Sequence, residues 1–369
     1  MSIAKPSIQR DPSRGEKAAK KLRLVMVGCG GISEHYMRAV GKLDRVEVVA
    51  AVDTLPDVLA AFQKRHQIPE VFADYRDMLA NVSIDAVCVC TPNLHHAPIS
   101  IAALQSGAHV LTEKPMALTP KECVEMIHAA QSAGRKLAIG FQYRFHPVTQ
   151  MLKRAADAGQ FGSIMHVKCQ ALRRRGVPNW GVFAQKKLQG GGPLIDIGVH
   201  VLEMAHYVMG SPRPVSASGN IWTFDGNRPN HVPCMWPDWD WRQYDIEDMA
   251  VGQIRFENGA ILQIEASFIA HIEKDQWNFQ LSGTQGGANW DPPQIFTNHV
   301  GTMVNIAPAY LPPMDFDGLF KAKLESFVTS VLDDTPLDAP AEAGLAIQEM
   351  IDGIYRSAEV GHEIDIRTR

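Results

Sequence analysis

The segment LRLVMVGCGGISEHY, residues 22–36, joins an apolar run rich in β-formers to a glycine-rich turn that opens a helical pattern. The apolar run predicts a strand buried on both faces, because it does not alternate with polar residues. In such a strand–turn–helix unit Gly28 permits the tight turn and Gly30 lets the backbone approach a pyrophosphate, which the first helical N–H groups would hold. The candidate phosphate-binding residues are Gly28, Gly30, Gly31, Ile32 and Ser33. The segment predicts a dinucleotide site, with a purely structural turn as the alternative.

A second apolar run, Val46–Asp53, ends in a carboxylate about 20 residues beyond the glycines. A carboxylate at this place accepts hydrogen bonds from the adenosine ribose hydroxyls. Its charge would repel a 2′-phosphate, and the neighbouring Thr54 supplies no compensating cation. Asp53 therefore favours NAD over NADP as the cofactor. The alternative for Asp53 is a helix N-cap or a turn residue.

Strands and helices alternate along the first part of the chain. The predicted strands are Leu22–Val27, Val46–Asp53, Val71–Phe72, Ile84–Cys90, His109–Thr112 and Lys136–Gly140, and the predicted helices are Leu55–His66, Tyr75–Asn81, His96–Ser106 and Pro120–Ala133. This alternation predicts an α/β fold, a doubly wound parallel sheet of the Rossmann type, over residues 22–145. The unusual loop sequences all fall at the carboxyl edge of that sheet, so the site is expected there.

Beyond residue 145 the pattern changes to alternating strands interrupted by helices. Strands are predicted at Ile164–Ala171, Val215–Thr223, Met249–Phe256, Ala260–Ile269 and Trp277–Gly283, and helices at Leu194–Met209, Gly318–Leu332 and Ala341–Val360. Residues 146–369 are thus expected to form an α+β domain on a largely antiparallel sheet, and this domain is expected to bind the substrate. Residues 1–21, polar and basic with two prolines, are expected to be a flexible arm.

Charge and cysteine usage narrow the functional classes. The net charge of −4, from 36 basic and 40 acidic residues, predicts no nucleic-acid or membrane partner. Six cysteines occur without metal-ligand spacing, which predicts no metal site and a reducing, cytoplasmic location. No signal sequence is apparent, and no stretch approaches the roughly 18 apolar residues of a spanning helix.

Two constellations could carry acid–base chemistry. Lys114 directly follows a predicted buried strand, and a lysine there can act as an acid or base if burial and an adjacent positive charge lower its pKa. In the segment GGGPLIDIGVH, Asp196 and His200 stand at i and i+4 on one helix face. Such a pair can bind a polyol hydroxyl and take its proton. The alternatives are an exposed loop lysine and a structural Asp–His pair.

Five blocks in this order resemble the glucose–fructose oxidoreductase, inositol dehydrogenase and rhizopine-catabolism (Gfo/Idh/MocA) family across about residues 22–362. They are VGCGGIS, TPNLHHAP with AALQSGAHVLTEKP, GFQYRFHP, GGGPLIDIGVH and DIEDMAVGQIRFENGAILQIEAS. The resemblance implies a Rossmann domain followed by a domain with a large open sheet, whose exposed face forms homodimers or homotetramers.

The resemblance also implies roles for single residues. Lys114 matches the lysine of the E-K-P signature beside the nicotinamide, and Asp196 and His200 match the D-x-x-x-H signature, with the histidine as proton acceptor. Residues at positions that line the nicotinamide ribose are Thr91, Asn93, His96 and Glu113, and residues close to nicotinamide and substrate are Gln142 and Arg144. Glu203 departs from the family pattern, in which many members have aspartate.

The segment RRRGVPNW, residues 173–180, is expected to form the rim of the pocket. Trp180 could stack on the apolar face of a sugar, and Arg173 could bind hydroxyls or a carboxylate. A second aromatic segment, residues 231–244, is not a general family feature. The alternative for these tryptophans is a place in the core or in a subunit interface.

Together these features predict an NAD-dependent oxidoreductase that acts on a secondary hydroxyl of a sugar, sugar derivative or cyclitol. His200 is expected to take the proton while Lys114 orients the oxygen, and no sequence feature distinguishes this from the exchanged roles. Two alternatives stay open. One is an NAD-dependent glycosidase that works through transient C3 oxidation and elimination, and the other is a non-catalytic NAD-binding sensor.

Overall fold

A computed structural model describes residues 20–366. Its first sheet has six parallel strands in the order β3-β2-β1-β4-β5-β6. The strands are β1 Leu22–Val27, β2 Val46–Val52, β3 Glu70–Phe72, β4 Ala86–Val89, β5 His109–Thr112 and β6 Leu137–Ile139. This order confirms the predicted doubly wound sheet. The chain reverses direction across the sheet between β1 and β4, and ligands of such sheets bind at this switch point.

Five helices cover this sheet: α1 Gly31–Val40, α2 Pro56–His66, α3 Tyr75–Asn81, α4 His96–Gln105 and α5 Pro120–Ala133. Strong local signals explain their bounds. Thr119 and Glu122 form a reciprocal capping box at the start of α5, Pro120 occupies its first turn, and Gly134 ends it in a left-handed conformation. All four residues of the central strand β4, Ala86–Val89, are fully buried, as the unbroken apolar run predicted.

The second sheet has nine strands in the order β14-β13-β12-β11-β7-β10-β9-β8-β15. Its strands are β7 Ile164–Leu172, β8 Pro214–Trp222, β9 Met249–Phe256, β10 Ile261–Ser267, β11 Gln276–Gly283, β12 Gly286–Asn289, β13 Gln294–His299, β14 Thr302–Ile306 and β15 Ile364–Asp365. Only the β7–β10 pair is parallel among these strands, so the predicted largely antiparallel sheet is confirmed. Sequence patterns missed β12–β15, which are short and largely polar.

The remaining helices are α6 Pro147–Asp157, α7 Lys186–Gln189, α8 Val199–Val208, α9 Phe316–Leu332 and α10 Ala341–Val360. The helix predicted over residues 194–209 has two parts, because a wider π-helical turn, Leu194–Gly198, precedes α8. Helix α10 packs closely on the inner face of the second sheet, where Gly219 and Gly252 leave room for Ile354.

The last helices return to the first sheet. Helix α9 packs against α1, and the N–H of Ile139 in β6 donates to the carbonyl of Ala339. The cofactor half is therefore stabilised partly by residues far along the chain. Between residues 20 and 366 no helix is both long and apolar enough to cross a membrane. The predicted arm, apart from Lys20 and Lys21, falls outside the described residues.

Candidate active site

The glycine-rich turn between β1 and α1 is shaped by one obligatory glycine and two open positions. Gly28 has φ +92°, and a Cβ there would lie 2.6 Å from the carbonyl oxygen of Cys90. A Cβ on Gly30 or Gly31 would meet nothing within 4 Å. Ser33 is buried and its Oγ donates to the Gly30 carbonyl at 2.5 Å, so it braces the turn. The start of α1 has no side-chain cap and can therefore bind an anion.

Asp53 is both a turn residue and part of the cleft. Its Oδ2 accepts a hydrogen bond from the Cys29 N–H at 2.8 Å, and its Oδ1 accepts one from the Leu55 N–H at 2.9 Å. The carboxylate thus braces the glycine turn from the next strand. It also lines a cavity of about 450 Å³ together with Tyr75 and Arg76. This is where a doubly wound sheet receives the adenosine end of a dinucleotide.

A second cavity of about 590 Å³ continues this cleft, and Thr91 and Pro92 line both. It brings together most of the predicted site: the residues lining it include Gly31, Ile32, Thr91, Glu113, Lys114, Gln142, Arg173, Trp180, Asp196 and His200. Thr91 Oγ1, Gln142 Oε1 and Gln189 Oε1 are buried in its wall without a hydrogen-bond partner among the described residues. A ligand rich in polar groups would satisfy them. These orphaned atoms and the open glycine positions fit a nicotinamide dinucleotide.

Lys114 and Asp196 meet in this cavity although 82 residues separate them. The Lys114 Nζ donates to the Asp196 carbonyl at 2.8 Å and to Asp196 Oδ1 at 3.0 Å. Both side chains are about six-sevenths buried, at 15% and 14% exposure. The π-helical turn carries Asp196, and α8 begins with His200 in its first turn.

His200 packs against two aromatic rings, with centroid distances of 5.1 Å to Tyr143 and 5.8 Å to Trp277. Burial lowers the pKa of His200 well below its ordinary value of 6.5, and the positive charges of Lys114, Lys323 and Arg173 lower it further. The imidazole is therefore neutral at pH 7 and can accept a proton.

Glu113 lines the cavity, but its carboxylate has protein partners. Glu113 Oε1 accepts hydrogen bonds from the Tyr36 hydroxyl at 2.7 Å and from Lys323 Nζ at 2.6 Å. Burial alone would raise the pKa of Glu113, but the Lys323 charge and these hydrogen bonds lower it below its ordinary value. Lys323 was missed from the sequence, because it looks like one more helical lysine in α9.

Three residues predicted to bind the cofactor or the substrate form hydrogen bonds with the protein itself. The two ring nitrogens of His96 lie 2.7 Å from the Pro115 carbonyl and 2.9 Å from the Thr91 carbonyl, and Asn93 Nδ2 donates to the Gln189 carbonyl at 2.9 Å. Arg144 requires a correction. It is buried outside the cavity, its Nε donates to Glu203 Oε1 at 2.6 Å, and its guanidinium also contacts the Asp338 carbonyl. We therefore remove Arg144 from the substrate site.

Glu247 is a second residue that sequence reasoning missed. Its carboxylate accepts hydrogen bonds from the N–H groups of Gly192 at 2.8 Å and Leu194 at 3.3 Å, and from the Tyr355 hydroxyl at 2.8 Å. Glu247 thereby holds the start of the turn that carries Asp196. Its sequence signal was weak, because Glu247 is one of three acidic residues in the segment DIEDMA.

The aromatic segment 231–244 divides between the core and the cavity mouth. Trp239 is buried and its Nε1 donates to the Gly226 carbonyl at 2.8 Å, and the Tyr244 hydroxyl, also buried, donates to the Glu247 carbonyl at 3.1 Å. Trp236 instead contacts Trp180 across a centroid distance of 4.7 Å. The guanidinium of Arg173 lies 4.9 Å from the Trp236 ring centroid.

A doubly wound sheet with a dinucleotide cleft, continued by a cavity that contains Lys114, Asp196 and His200, defines an NAD-dependent oxidoreductase. Comparison with models of known protein families supports this class of protein. The family model described as "Oxidoreductase family, NAD-binding Rossmann fold" matches residues 22–141, and the "GFO/IDH/MocA C-terminal domain" model matches residues 149–289. The chain belongs to the Gfo/Idh/MocA family.

Two curated relatives are named as dehydrogenases of sugar derivatives. The chain is 35% identical over 349 residues to D-glucoside 3-dehydrogenase of Escherichia coli strain K12, covering 94% of this chain and 97% of that protein. It is 30% identical to levoglucosan dehydrogenase of Pseudarthrobacter phenanthrenivorans over 63% of this chain and 61% of that one. A solved structure of levoglucosan dehydrogenase with NADH shares the fold, with a TM-score of 0.83, 21% identity and coverage of 95% of this chain and 100% of that chain.

Proposed function

We propose that this protein oxidises a secondary hydroxyl of a sugar, sugar derivative or cyclitol to a ketone, using NAD, and that a glucoside is its substrate. The observation that carries the proposal is the contact of Lys114 with Asp196 in the cavity that also contains His200, directly beside Gly31 and Ile32. The name of the relative from Escherichia coli supports a glucoside.

When bound, NAD supplies the hydride acceptor at nicotinamide C4. Thr91, Gln142 and the N–H groups at the start of α1 would hold the cofactor, because they offer unpaired polar atoms or an uncapped helix end. Asp53 would bind the adenosine ribose and disfavour a 2′-phosphate.

We assign the proton transfer to His200 and the stabilisation of alkoxide charge to Lys114. A neutral imidazole has a free lone pair, and burial keeps His200 neutral. Lys114 acts as a hydrogen-bond donor to two oxygens of Asp196, which suits a cation that orients the substrate oxygen. Asp196 in turn holds the Lys114 ammonium and can accept a hydrogen bond from a neighbouring substrate hydroxyl.

Lys114→Ala tests the assignment. We expect turnover to fall by roughly 10²–10⁴ while the Kd for NAD stays nearly unchanged, since the lysine acts on the reacting oxygen. Turnover would be followed by NADH absorbance with glucosides, aldoses, anhydrosugars and inositols. Lys121→Ala, which removes an exposed lysine on α5, is the matched control. Unchanged turnover in Lys114→Ala would sink the assignment.

Two experimental results would contradict the proposed dehydrogenase reaction and favour another function. Release of the aryl group from an aryl glycoside without net NADH would identify a glycosidase that uses transient oxidation. Tight NAD binding with no oxidation of any tested carbohydrate would remove the dehydrogenase proposal.

We also propose that the protein is a homodimer or homotetramer through the open face of the second sheet. Hydrophobic side chains at the edge of this sheet support the proposal: Val300 is 89% exposed and Met303 is 87% exposed. Light scattering of the purified protein would test it, and a monomer at micromolar concentration would contradict it.

A further inference from the structure

The cavity of the proposed active site has its reactive groups at the bottom and an aromatic side chain at its mouth. The Lys114 and Asp196 side chains are 15% and 14% exposed, whereas Trp180 is 50% exposed. All three line the same volume of about 590 Å³. Trp180 therefore lies in the outer, exposed part of the cavity wall.

Arg173 connects the reactive part of this cavity to its aromatic part. It lines the same cavity as His200, and its charge contributes to the lowered pKa of His200, after burial, Lys114 and Lys323. The Arg173 guanidinium lies 4.9 Å from the Trp236 ring centroid, and Trp236 lies 4.7 Å from Trp180. Arg173 and Trp180 thus both line the cavity, and Trp236 packs against both of them.

The Trp180 ring is held in place without being buried. It contacts Trp236 at an interplanar angle of 83° and Phe183 at 72°, with the Phe183 centroid 5.9 Å away. Perpendicular ring contacts are favourable and fix an orientation. Because half of the indole surface stays exposed, it can stack on a ring with an apolar face, such as a pyranose or an aryl group. The buried Trp239 of the neighbouring segment has no such freedom.

We infer that the cleft has an outer subsite, formed by Trp180 and Phe183 and braced by Trp236 behind Trp180, that binds a second ring attached to the oxidised sugar. The preferred substrate is then a glycoside whose aglycone carries an apolar ring face, rather than a free monosaccharide. This inference rests on the proposed function. The second ring can come from another sugar or from an aryl group, and the shared chemistry is stacking on the indole.

Calorimetric binding in the presence of NADH, which allows no oxidation, tests the subsite directly. The probes are methyl glucoside, cellobiose and phenyl glucoside. We expect wild-type protein to bind cellobiose or phenyl glucoside more tightly than methyl glucoside. In Trp180→Ala the ratio of these affinities should fall about tenfold, which corresponds to about 1.4 kcal/mol. Trp180→Phe should keep most of the preference, because it retains an aromatic face.

Trp222→Ala is the matched control, because Trp222 is 44% exposed on β8 and does not line the cavity. It should leave the affinity ratio unchanged. Loss of preference for cellobiose identifies a second sugar as the outer ring, and loss for phenyl glucoside alone identifies an aryl aglycone. An equal loss for methyl glucoside and both larger probes, or a ratio that Trp180→Ala does not change, would overturn the subsite.

The failure of this inference and the failure of the proposed function are distinguishable. If cellobiose binds through Trp180 but no probe reduces NAD, the subsite stands and the dehydrogenase proposal falls. If methyl glucoside and cellobiose are oxidised with the same KM in wild type and in Trp180→Ala, the dehydrogenase stands and the subsite falls.

Discussion

The buried ion pair of Lys323 and Glu113 connects α9 to the floor of the proposed active site. Lys323 Nζ lies 2.6 Å from Glu113 Oε1, and the two side chains are 2% and 6% exposed. The ammonium also lies 3.8 Å from the Phe320 ring centroid and 4.6 Å from that of Tyr36. Lys323→Met keeps most of the packing volume and removes the charge, which leaves Glu113 buried and without its cation.

The loss of stability in Lys323→Met is limited, because the unpaired Glu113 can take up a proton and become neutral. From its ordinary pKa of 4.5, protonating Glu113 costs about 3.4 kcal/mol at pH 7 and about 0.7 kcal/mol at pH 5, at about 1.36 kcal/mol per unit. In the wild type the pKa of Glu113 is lowered, which means that the ionised carboxylate stabilises the folded protein. This stabilisation is present above pH 4.5 and is lost as the pH falls through the pKa of Glu113 in the folded protein. We therefore expect Lys323→Met to reduce the unfolding free energy by about 3–4 kcal/mol at pH 7 and by about 1 kcal/mol at pH 5.

Urea unfolding at pH 5, 6 and 7, followed by fluorescence, measures this difference. Lys321→Met on the same helix removes an exposed lysine paired with Glu325 and should change stability by about 0.5 kcal/mol or less. The double variant Lys323→Met with Glu113→Gln should recover most of the loss at pH 7, because no unpaired charge remains. A destabilisation independent of pH, or one no larger than that of Lys321→Met, would refute the reasoning.

Two further predictions concern the cleft. In Asp53→Asn we expect the ratio of kcat/KM with NADP to kcat/KM with NAD to rise by roughly tenfold, because the charge that repels a 2′-phosphate is removed. The amide oxygen of asparagine can still accept a backbone hydrogen bond. An unchanged ratio in steady-state assays would contradict the role of Asp53. For His200, only the neutral form accepts a proton, and burial holds its pKa below 6.5. The acid limb of the kcat/KM profile for oxidation should therefore lie below pH 6.5, and a midpoint above that value would assign the proton transfer elsewhere.

Local sequence patterns predicted much of the fold. Strand β1 and helices α3, α5 and α10 have the predicted bounds. Apolar runs, the Thr119 capping box and helical periodicity are signals within one element, so they need no knowledge of the partner surface. Strands β12–β14 were missed because their residues neither alternate nor form an apolar run. Pairing determines them instead: β12 pairs with β11, β13 with β12 and β14 with β13.

The sequence predicted those residues of the candidate site that belong to a motif within a single turn or a single helix. Gly28 and Asp53 follow from the strand–turn–helix unit, and Lys114, Asp196 and His200 follow from two signatures. Arg144 was placed wrongly because its signature shows proximity to the site and not the direction of the side chain, which Glu203 determines.

The sequence by itself thus determined the cofactor class and the short-range elements, since strand, turn and helix propensities act over a few residues. Only the tertiary structure decided which charges meet. Lys114 contacts Asp196 across 82 residues, Glu247 holds Gly192 across 55, and Lys323 neutralises Glu113 across 210. Such contacts depend on how the two sheets and the returning helices pack, and burial strengthens them because a polar contact is stronger in surroundings of low dielectric constant.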